Sequence, residues 1–363
     1  MEQKKQTSTG KKILKVLGWI ILAIVAVALC FLIFLSVTEY KPAEKEQIKV
    51  SGKAENSIKA GDSISVLSWN LGYGALGDNA DFFFDGGKAV LPSDETRVKE
   101  NVNAFYTEIN NEKPDVALLQ ETDVNSKRSY GINMVDEIAN HTEGYENSFA
   151  YNYNVKYVPY PMPPMGKIGS GLATFSSYPV KEAERLSLPC PFTWPVRVGN
   201  LKRCLLVNRV PVEGSNKELV LVNLHLEAYD DGEGKIAQTK MLRDLLEAEY
   251  KKGNYVIAAG DFNQTFSNTD TSMYPQHEGA WKSGIIDVAD LGNDFTCIMD
   301  SSVPSCRSLT TTYDTNETIK NCQYWMLDGF IVSNNVKVES METKDLQFKN
   351  TDHNPIILKA VLN

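Results

Sequence analysis

Along this chain, apolar runs repeatedly stop short at a polar side chain. Val256-Ile257-Ala258-Ala259 gives way to Gly260-Asp261-Phe262-Asn263. A short apolar run bounded by turn residues is the pattern of a buried strand, and Gly260 leaves the backbone free to turn sharply. Residues 63–69 alternate and end at Asn70-Leu71-Gly72. Residues 115–120 form another short apolar run, closed by Glu121. Residues 203–212 and 218–224 alternate on either side of Glu213-Gly214-Ser215-Asn216, a hairpin signal, and the second run leads into His225. Residues 169–176 read as a strand, followed by a turn at Ser177-Tyr178-Pro179 and the start of another strand at 178–180. Residues 324–332 place Asp328 inside an apolar strand, and Thr351-Asp352-His353-Asn354-Pro355 precedes a last strand at 356–361.

Helical spacing appears twice over long stretches. Val98, Val102, Phe105 and Ile109 mark a helix over 95–111, stopped before Pro114. Ile236, Met241, Leu242, Leu245 and Leu246 give the apolar side of a helix over 234–252, with Gly253 as its stop. Residues 151–166 hold four Tyr and four Pro with little charge. Prolines forbid a regular helix or central strand. The stretch reads as a stiff aromatic loop, either packed on the surface or forming a rim that touches substrate or membrane.

The first forty residues change the picture. Residues 16–38 are 23 uncharged positions, mostly Leu, Ile, Val and Ala. A bilayer core of about 30 Å needs roughly 20 such residues in a helix. Lys4, Lys5, Lys11, Lys12 and Lys15 precede them, which places residues 1–15 in the cytoplasm as a basic tail. A cleaved signal peptide fits less well, because the run exceeds the roughly 7–15 residues of such a segment. Bulky Leu29 before Cys30 also argues against lipoprotein cleavage. The expected order is a transmembrane helix at 16–38, a polar tether at 39–61 and one extracytoplasmic domain at 62–363 anchored in the cell membrane.

The formal charge is −9; residues 1–40 carry five Lys against two Glu, or +3, which leaves −12 for the remainder. So acidic a domain lacks the basic footprint of a general nucleic-acid binder, although a bound cation can recruit phosphate locally. Five of the six cysteines, Cys190, Cys204, Cys297, Cys306 and Cys322, lie outside the apolar segment. An oxidising compartment permits disulfides, with Cys190–Cys204 and Cys297–Cys306 the nearest pairs in sequence, but spacing alone sets no connectivity. No Cys/His grouping suggests zinc.

A carboxylate directly after an apolar run is costly to bury without a partner. Glu121 and Asp328 both need one, and a metal ion or a salt bridge would serve. A lone strand histidine such as His225 is more often structural, and Gly-Asp-x-Asn or Asp-His can be simple turns. Together, however, Asn70, Gln120-Glu121, His225, Gly260-Asp261-Phe262-Asn263, Asp328 and Asp352-His353 fall in an order that resembles the endonuclease/exonuclease/phosphatase superfamily over about residues 62–363. Gly171-Leu172-Ala173 and Tyr178-Pro179 match a structural region of the same family.

The resemblance implies an α/β (α+β) fold, a four-layer αββα sandwich of two mixed β-sheets. It implies a metal-dependent phosphoric ester hydrolase using Mg²⁺, or Mn²⁺ in its place. Glu121 is then the principal metal ligand, with Asn70 and Asp352 beside the ion or its waters. Asp261 orients or deprotonates the attacking water, and Asn263 binds phosphoryl oxygens. His353, held by Asp328, faces the phosphate, and His225 contacts it or protonates the leaving oxygen. Many members carry Arg or Lys with Ile before the Asp328 position; Met326-Leu327 stand there in this chain. A substrate-facing charge is thereby missing, which leaves the substrate class open. A phospholipid or small phosphoester fits the anchor and the acidic domain. An extracellular nuclease, with nucleic acid as substrate only, is the alternative. A non-catalytic binding protein on the same fold would be expected to have lost some of these eight positions, and none is lost.

Overall fold

The computed structural model describes residues 9–91, 93–230 and 232–363. Lys4 and Lys5 lie outside the described residues. The N-terminal helix runs Thr9–Val37 and is long and apolar enough to cross a membrane.

The rest builds two mixed β-sheets packed face to face. The first has the strand order Val336–Thr343, Ile356–Leu362, Ser63–Asn70, Val116–Asp123, Gly166–Ser176, Glu146–Val158, Val50–Gly52. The second runs Lys45–Ile48, Glu182–Ser187, Cys204–Glu213, Glu218–His225, Tyr255–Asp261, Asp328–Ser333, Phe295–Ile298, with Ile58–Lys59 paired to Cys204–Glu213. Alternation along each strand makes the layers. Val66, Val116, Leu118, Leu219, Leu221, Ile257 and Ala259 face the other sheet. Their neighbours Leu67, Trp69, Ala117 and Leu119 face outward onto Val98, Val102, Phe105 and Ile109 of the helix Glu95–Glu112. Val220, Val222, Val256 and Ala258 do the same against Leu242 and Leu246 of the helix Glu233–Lys251. The order is helix, sheet, sheet, helix.

The first sheet has one parallel pair, Ser63–Asn70 beside Val116–Asp123; in the second, Glu218–His225 runs parallel beside Tyr255–Asp261, and Ile58–Lys59 runs parallel beside Cys204–Glu213. Asn70 registers with Gln120 and His225 with Asp261. Both pairs end at the same edge of the sandwich. Beneath that edge the Gln120 amide donates to Asn223 Oδ1 across the sheets at 2.8 Å, and Asn223 Nδ2 donates to the Ala173 carbonyl at 2.9 Å. Hydrogen bonds between buried amides fix the register of one sheet on the other.

Several expectations are corrected. Residues 39–61 are no free tether, because Lys45–Ile48 pairs with residues 183–186 and Val50–Gly52 with residues 146–148, so both sheets take an edge strand from the segment. The aromatic stretch is a strand as far as Val158; only the proline cluster after it is loop. The strand through Glu121 continues to Asp123 across a register irregularity. The strand expected to start at 178–180 runs Glu182–Ser187 instead. Asp328 begins its strand, and Tyr324–Trp325 pairs separately with Cys306–Arg307. Ile236, in the first turn of its helix, is 66% exposed and not part of the core. All six cysteines are unpaired.

Candidate active site

The eight candidate residues come from strand ends and the loops after them, and the fold gathers them at one edge. Asn70 bridges the sheets: its Nδ2 donates to Asp261 Oδ2 at 3.0 Å and lies 3.4 Å from Glu121 Oε1. Its Oδ1 accepts from the Gly72 N–H at 3.0 Å. Gly72 has φ of +48°, and a Cβ there would sit 2.8 Å from both Asp352 Oδ1 and Thr351 Oγ1. Gly260 is equally constrained: its Cβ would lie 1.9 Å from the Leu224 carbonyl oxygen of the parallel neighbour. That contact lets Asp261 and His225 end side by side, with His225 Nε2 3.5 Å from Asp261 Oδ2.

Among the non-glycine residues lining the cavity, Tyr73 (φ 42°), Glu121 and Asn263 (each φ 50°) hold left-handed backbone. Such geometry costs about 1–3 kcal/mol per residue and persists where the surroundings impose it. At Glu121 it coincides with the break in strand register, which re-aims a side chain as bulges do. The Glu121 carboxylate points into the cavity. Asn263 donates its N–H to Asp261 Oδ1 at 2.8 Å and one amide hydrogen to the Leu226 carbonyl at 2.9 Å.

His353 Nδ1 lies 2.8 Å from Asp328 Oδ2, while its Nε2 faces Asp261 Oδ2 at 3.7 Å. The indole of Trp69 donates to the His353 carbonyl, and Ser305 Oγ accepts from the Asp328 N–H, so both partners are held from behind. Asp352 Oδ1 accepts from Thr351 Oγ1 at 3.2 Å. Glu121, His225, Asp261, Asn263, Asp352 and His353 line a cavity of about 650 Å³. Asn70 and Asp328 stand behind its wall and position the others. Thr351, Ser305 and Cys306 were not legible as site residues. Cys306 joins because its short strand bridges to His353, a pairing with no local signal in sequence.

The electrostatics are unusual. Burial, then the charge of Asp352, pushes Glu121 up to about 7, even with Arg128 nearby. Burial also lifts Asp261 to about 6, against the opposing pull of His353, and raises Asp352. Burial, helped by Arg203 and His353, holds His225 well below its usual range and therefore neutral. Burial alone would lower His353 too, but Cys306 and Asp328 outweigh it and keep the ring protonated. The guanidinium groups lining the cavity are engaged elsewhere: Arg128 with Asp123 at 3.0 Å, Arg203 with Glu227 at 3.3 Å, and Arg307 with the Gly77 carbonyl at 2.7 Å. Leu327 lines the cavity directly before Asp328.

The donor set fits a hard divalent cation. Several buried acids are crowded without a protein cation to neutralise all of them, and among the described residues Asp328 Oδ1 has no hydrogen-bond partner. Two groups could chelate, with all ligand atoms within 4.8 Å of one another: Asp261, Asp328 and His353, or Cys306, Asp352 and His353. A protonated His353 binds no cation, so the oxygens of Asp261 and Asp328 in the first group, and those of Glu121 and Asp352 lining the cavity, are the donors that suit Mg²⁺ or Mn²⁺.

Residues 67–348 match the Endonuclease/Exonuclease/phosphatase family. No curated protein matches the chain. Similar solved structures include an endonuclease/exonuclease/phosphatase from Beutenbergia cavernae (TM-score 0.54, 16% identity, 83% of this chain and 72% of that one). Another, from Bacteroides vulgatus, gives a TM-score of 0.51 at 14% identity, over 83% of this chain and 100% of that one. D. rerio TDP2 complexed with single strand DNA product gives 0.50 at 16% identity, over 82% and 98%. At these identities the likeness concerns the fold.

Proposed function

Because the chain belongs to the endonuclease/exonuclease/phosphatase family, whose members are generally metal-dependent hydrolases of phosphoesters, we propose that it is a membrane-anchored, extracytoplasmic, Mg²⁺-dependent phosphoesterase acting on a phospholipid or other small phosphoester. The observation that carries this reading is the contact of Asn70 with both Glu121 and Asp261 behind the wall of one cavity. It ties a candidate metal ligand on one sheet to a candidate base on the other. The apolar Thr9–Val37 helix supports the anchor.

Glu121 and Asp352 would hold the cation, with Asn70 beside it. The ion, when bound, screens the phosphate charge and stabilises the charge that develops in the transition state. Asp261, fixed by the Asn70 amide and the Asn263 N–H, orients the attacking water and takes its proton. Its raised pKa makes it a better base than a solvated aspartate. His353, kept protonated by Asp328, donates from Nε2 toward a phosphoryl oxygen. Neutral His225 offers a second donor, and Asn263 adds an amide hydrogen. The water oxygen bonds to phosphorus as its proton passes to Asp261, the ester P–O bond breaks, and the departing oxygen takes up a proton from solvent.

Purified full-length chain in detergent, assayed with Mg²⁺ and then EDTA, tests this. Sphingomyelin, phosphoinositides, bis(p-nitrophenyl) phosphate and plasmid DNA serve as substrates. The reading expects EDTA-sensitive release from a lipid or the small diester. Cleavage of DNA alone would move the assignment to an extracellular nuclease. No turnover of any of them would leave a binding protein on this fold.

A further inference from the structure

The cavity and the N-terminal helix meet on one face of the domain. Away from the strand ends the cavity walls are apolar: Phe83, Phe84, Val158, Tyr160, Met165 and Val196. Phe84, Tyr160 and Val196 are also exposed at its mouth, and Met162 (83% exposed) and Trp194 (57%) stand beside them without lining it. A contiguous exposed apolar rim marks a contact surface.

The helix docks on the same two segments. Trp194 Nε1 donates to Ser36 Oγ at 3.1 Å, and the Phe31 ring meets Tyr157 edge-on at 6.0 Å. Leu35 is buried against the domain. Just above, Glu39 pairs with Arg197 at 3.0 Å and Lys202 at 3.5 Å. Charges therefore begin where the apolar span ends, at the level of lipid headgroups. Phe31 lies seven residues before Thr38, about 10 Å lower at roughly 1.5 Å per residue. A domain residue that touches Phe31 sits at the depth of the headgroup–acyl boundary, about 5–10 Å into the leaflet. Tyr157 does, and Val158, Tyr160 and Met162 follow it directly in sequence.

We propose that this rim is seated in the outer leaflet, and that the cavity takes a membrane phospholipid whose phosphate reaches Glu121, Asp261 and His353 while its acyl chains stay between the aromatic walls and the bilayer. The proposal rests on the phosphoesterase reading of the site and on the helix as a membrane span, and it names the substrate class. The geometry gives the substrate a path with no aqueous step. The apolar walls replace the lipid environment the chain would otherwise lose, and Arg128 and Arg203, paired with Asp123 and Glu227, offer little free charge to a nucleic-acid backbone.

The test uses the full chain in vesicles of phosphatidylcholine and phosphatidylglycerol. Trp194 emission, isolated as the difference between wild type and Trp194→Phe, is measured with and without brominated phosphatidylcholine. Strong quenching is expected; emission untouched by brominated lipid overturns the seating, whatever the catalysis. In the same vesicles, Met162→Asp and Trp194→Asp should lower hydrolysis of vesicle lipid about tenfold, as loss of interfacial anchors does. Turnover of soluble bis(p-nitrophenyl) phosphate should stay near wild type. Equal rates on both substrates in variants and wild type, or turnover of the soluble ester alone by wild type, overturn the lipid assignment and leave the phosphoesterase standing. Quenching of Trp194 with neither ester cleaved does the reverse: the seating stands and the phosphoesterase reading falls.

Discussion

Glu249 and Asp261 are both buried acids, one on the helix Glu233–Lys251 and one at the end of the strand that helix leads into. Their surroundings differ in one respect. Glu249 accepts from Arg209 at 2.8 and 3.0 Å, from Lys252 at 2.8 Å and from Asn254 at 2.8 Å. Burial alone would raise its pKa, but those bonds outweigh burial and bring it down to about 2. Asp261 accepts from an amide and a backbone N–H, shares the edge with Asp328, and is pushed up to about 6. One acid is neutralised by the protein's own cations. The other faces only the His353 imidazolium, at 3.7 Å and shared with Asp328, and stays raised. The same contrast holds inside the site edge: Asp123 and Glu227 are paired with Arg128 and Arg203, and the candidate catalytic carboxylates are crowded with each other.

The largest expected effect breaks the comparison on the Asp261 side. Asp261→Ala should lower kcat on bis(p-nitrophenyl) phosphate by about 10²–10⁴-fold, the range for a positioned acid–base group, with the melting transition retained. A drop smaller than the error of the assay would remove Asp261 from its proposed role. Glu249→Ala acts on the other side. Removing one partner of a buried pair costs about 3–5 kcal/mol, and the partial exposure of Arg209 puts this variant at the low end. Urea denaturation should register the loss, while activity per folded molecule stays at the wild-type level.

Adding the missing cation sharpens the contrast. Mg²⁺ at a hundredfold excess over its dissociation constant should stabilise the wild-type domain by about 2.7 kcal/mol, read as a rise in melting temperature. Glu121→Gln should lose most of that rise, and Glu249→Ala should keep it. A full Mg²⁺ response in Glu121→Gln would mean that the ion sits elsewhere, and the Asp261, Asp328 and His353 group becomes the next candidate.

How much of this was legible depends on where each signal lay. Asn70, Glu121, His225 and Asp261 were readable because each ends an apolar run of strand length, and a polar residue there has no packing reason to be present. Layering was readable from alternation such as Leu219 to Leu224, in which odd and even residues serve different faces. Ser305 and Cys306 were not readable, because they reach the site through short non-local pairings. The strand Lys45–Ile48 was missed because an edge strand half in water is polar along its length. Residues 151–158 alternate well enough for a strand, and the prolines after them misled. Ile236 fits the helical period yet faces water, since periodicity says which residues share a face and not how far along the helix that face stays covered.

The smallest expected effect concerns pH, and there the two acids move in opposite directions. Glu121 and Asp261 have ordinary values of 4.5 and 3.8 and are raised in the folded protein to about 7 and about 6. A raised folded-state pKa means that the protonated acid favours folding. That stability is complete below about pH 4 and is lost as pH rises through 6 to 7. Glu249 is depressed from 4.5 to about 2, so its contribution is present above about pH 4.5 and is lost only as pH falls toward 2. Between pH 5 and 8, then, Glu249 gives no slope and the site acids give a falling one. Mutual coupling spreads their titration, so the drop for the metal-free protein should be about 1–2 kcal/mol. Urea midpoints at pH 5, 6, 7 and 8 in EDTA measure it. Glu121→Gln should flatten the curve, because one crowded acid can no longer ionise, and saturating Mg²⁺ should flatten it in the wild type. Neutral His225 adds a rising slope only below about pH 6.5, so a metal-free wild type whose midpoint rises between pH 6.5 and 8 would mean that the site acids are paired after all, and that Asp261 belongs with Glu249 rather than opposite it.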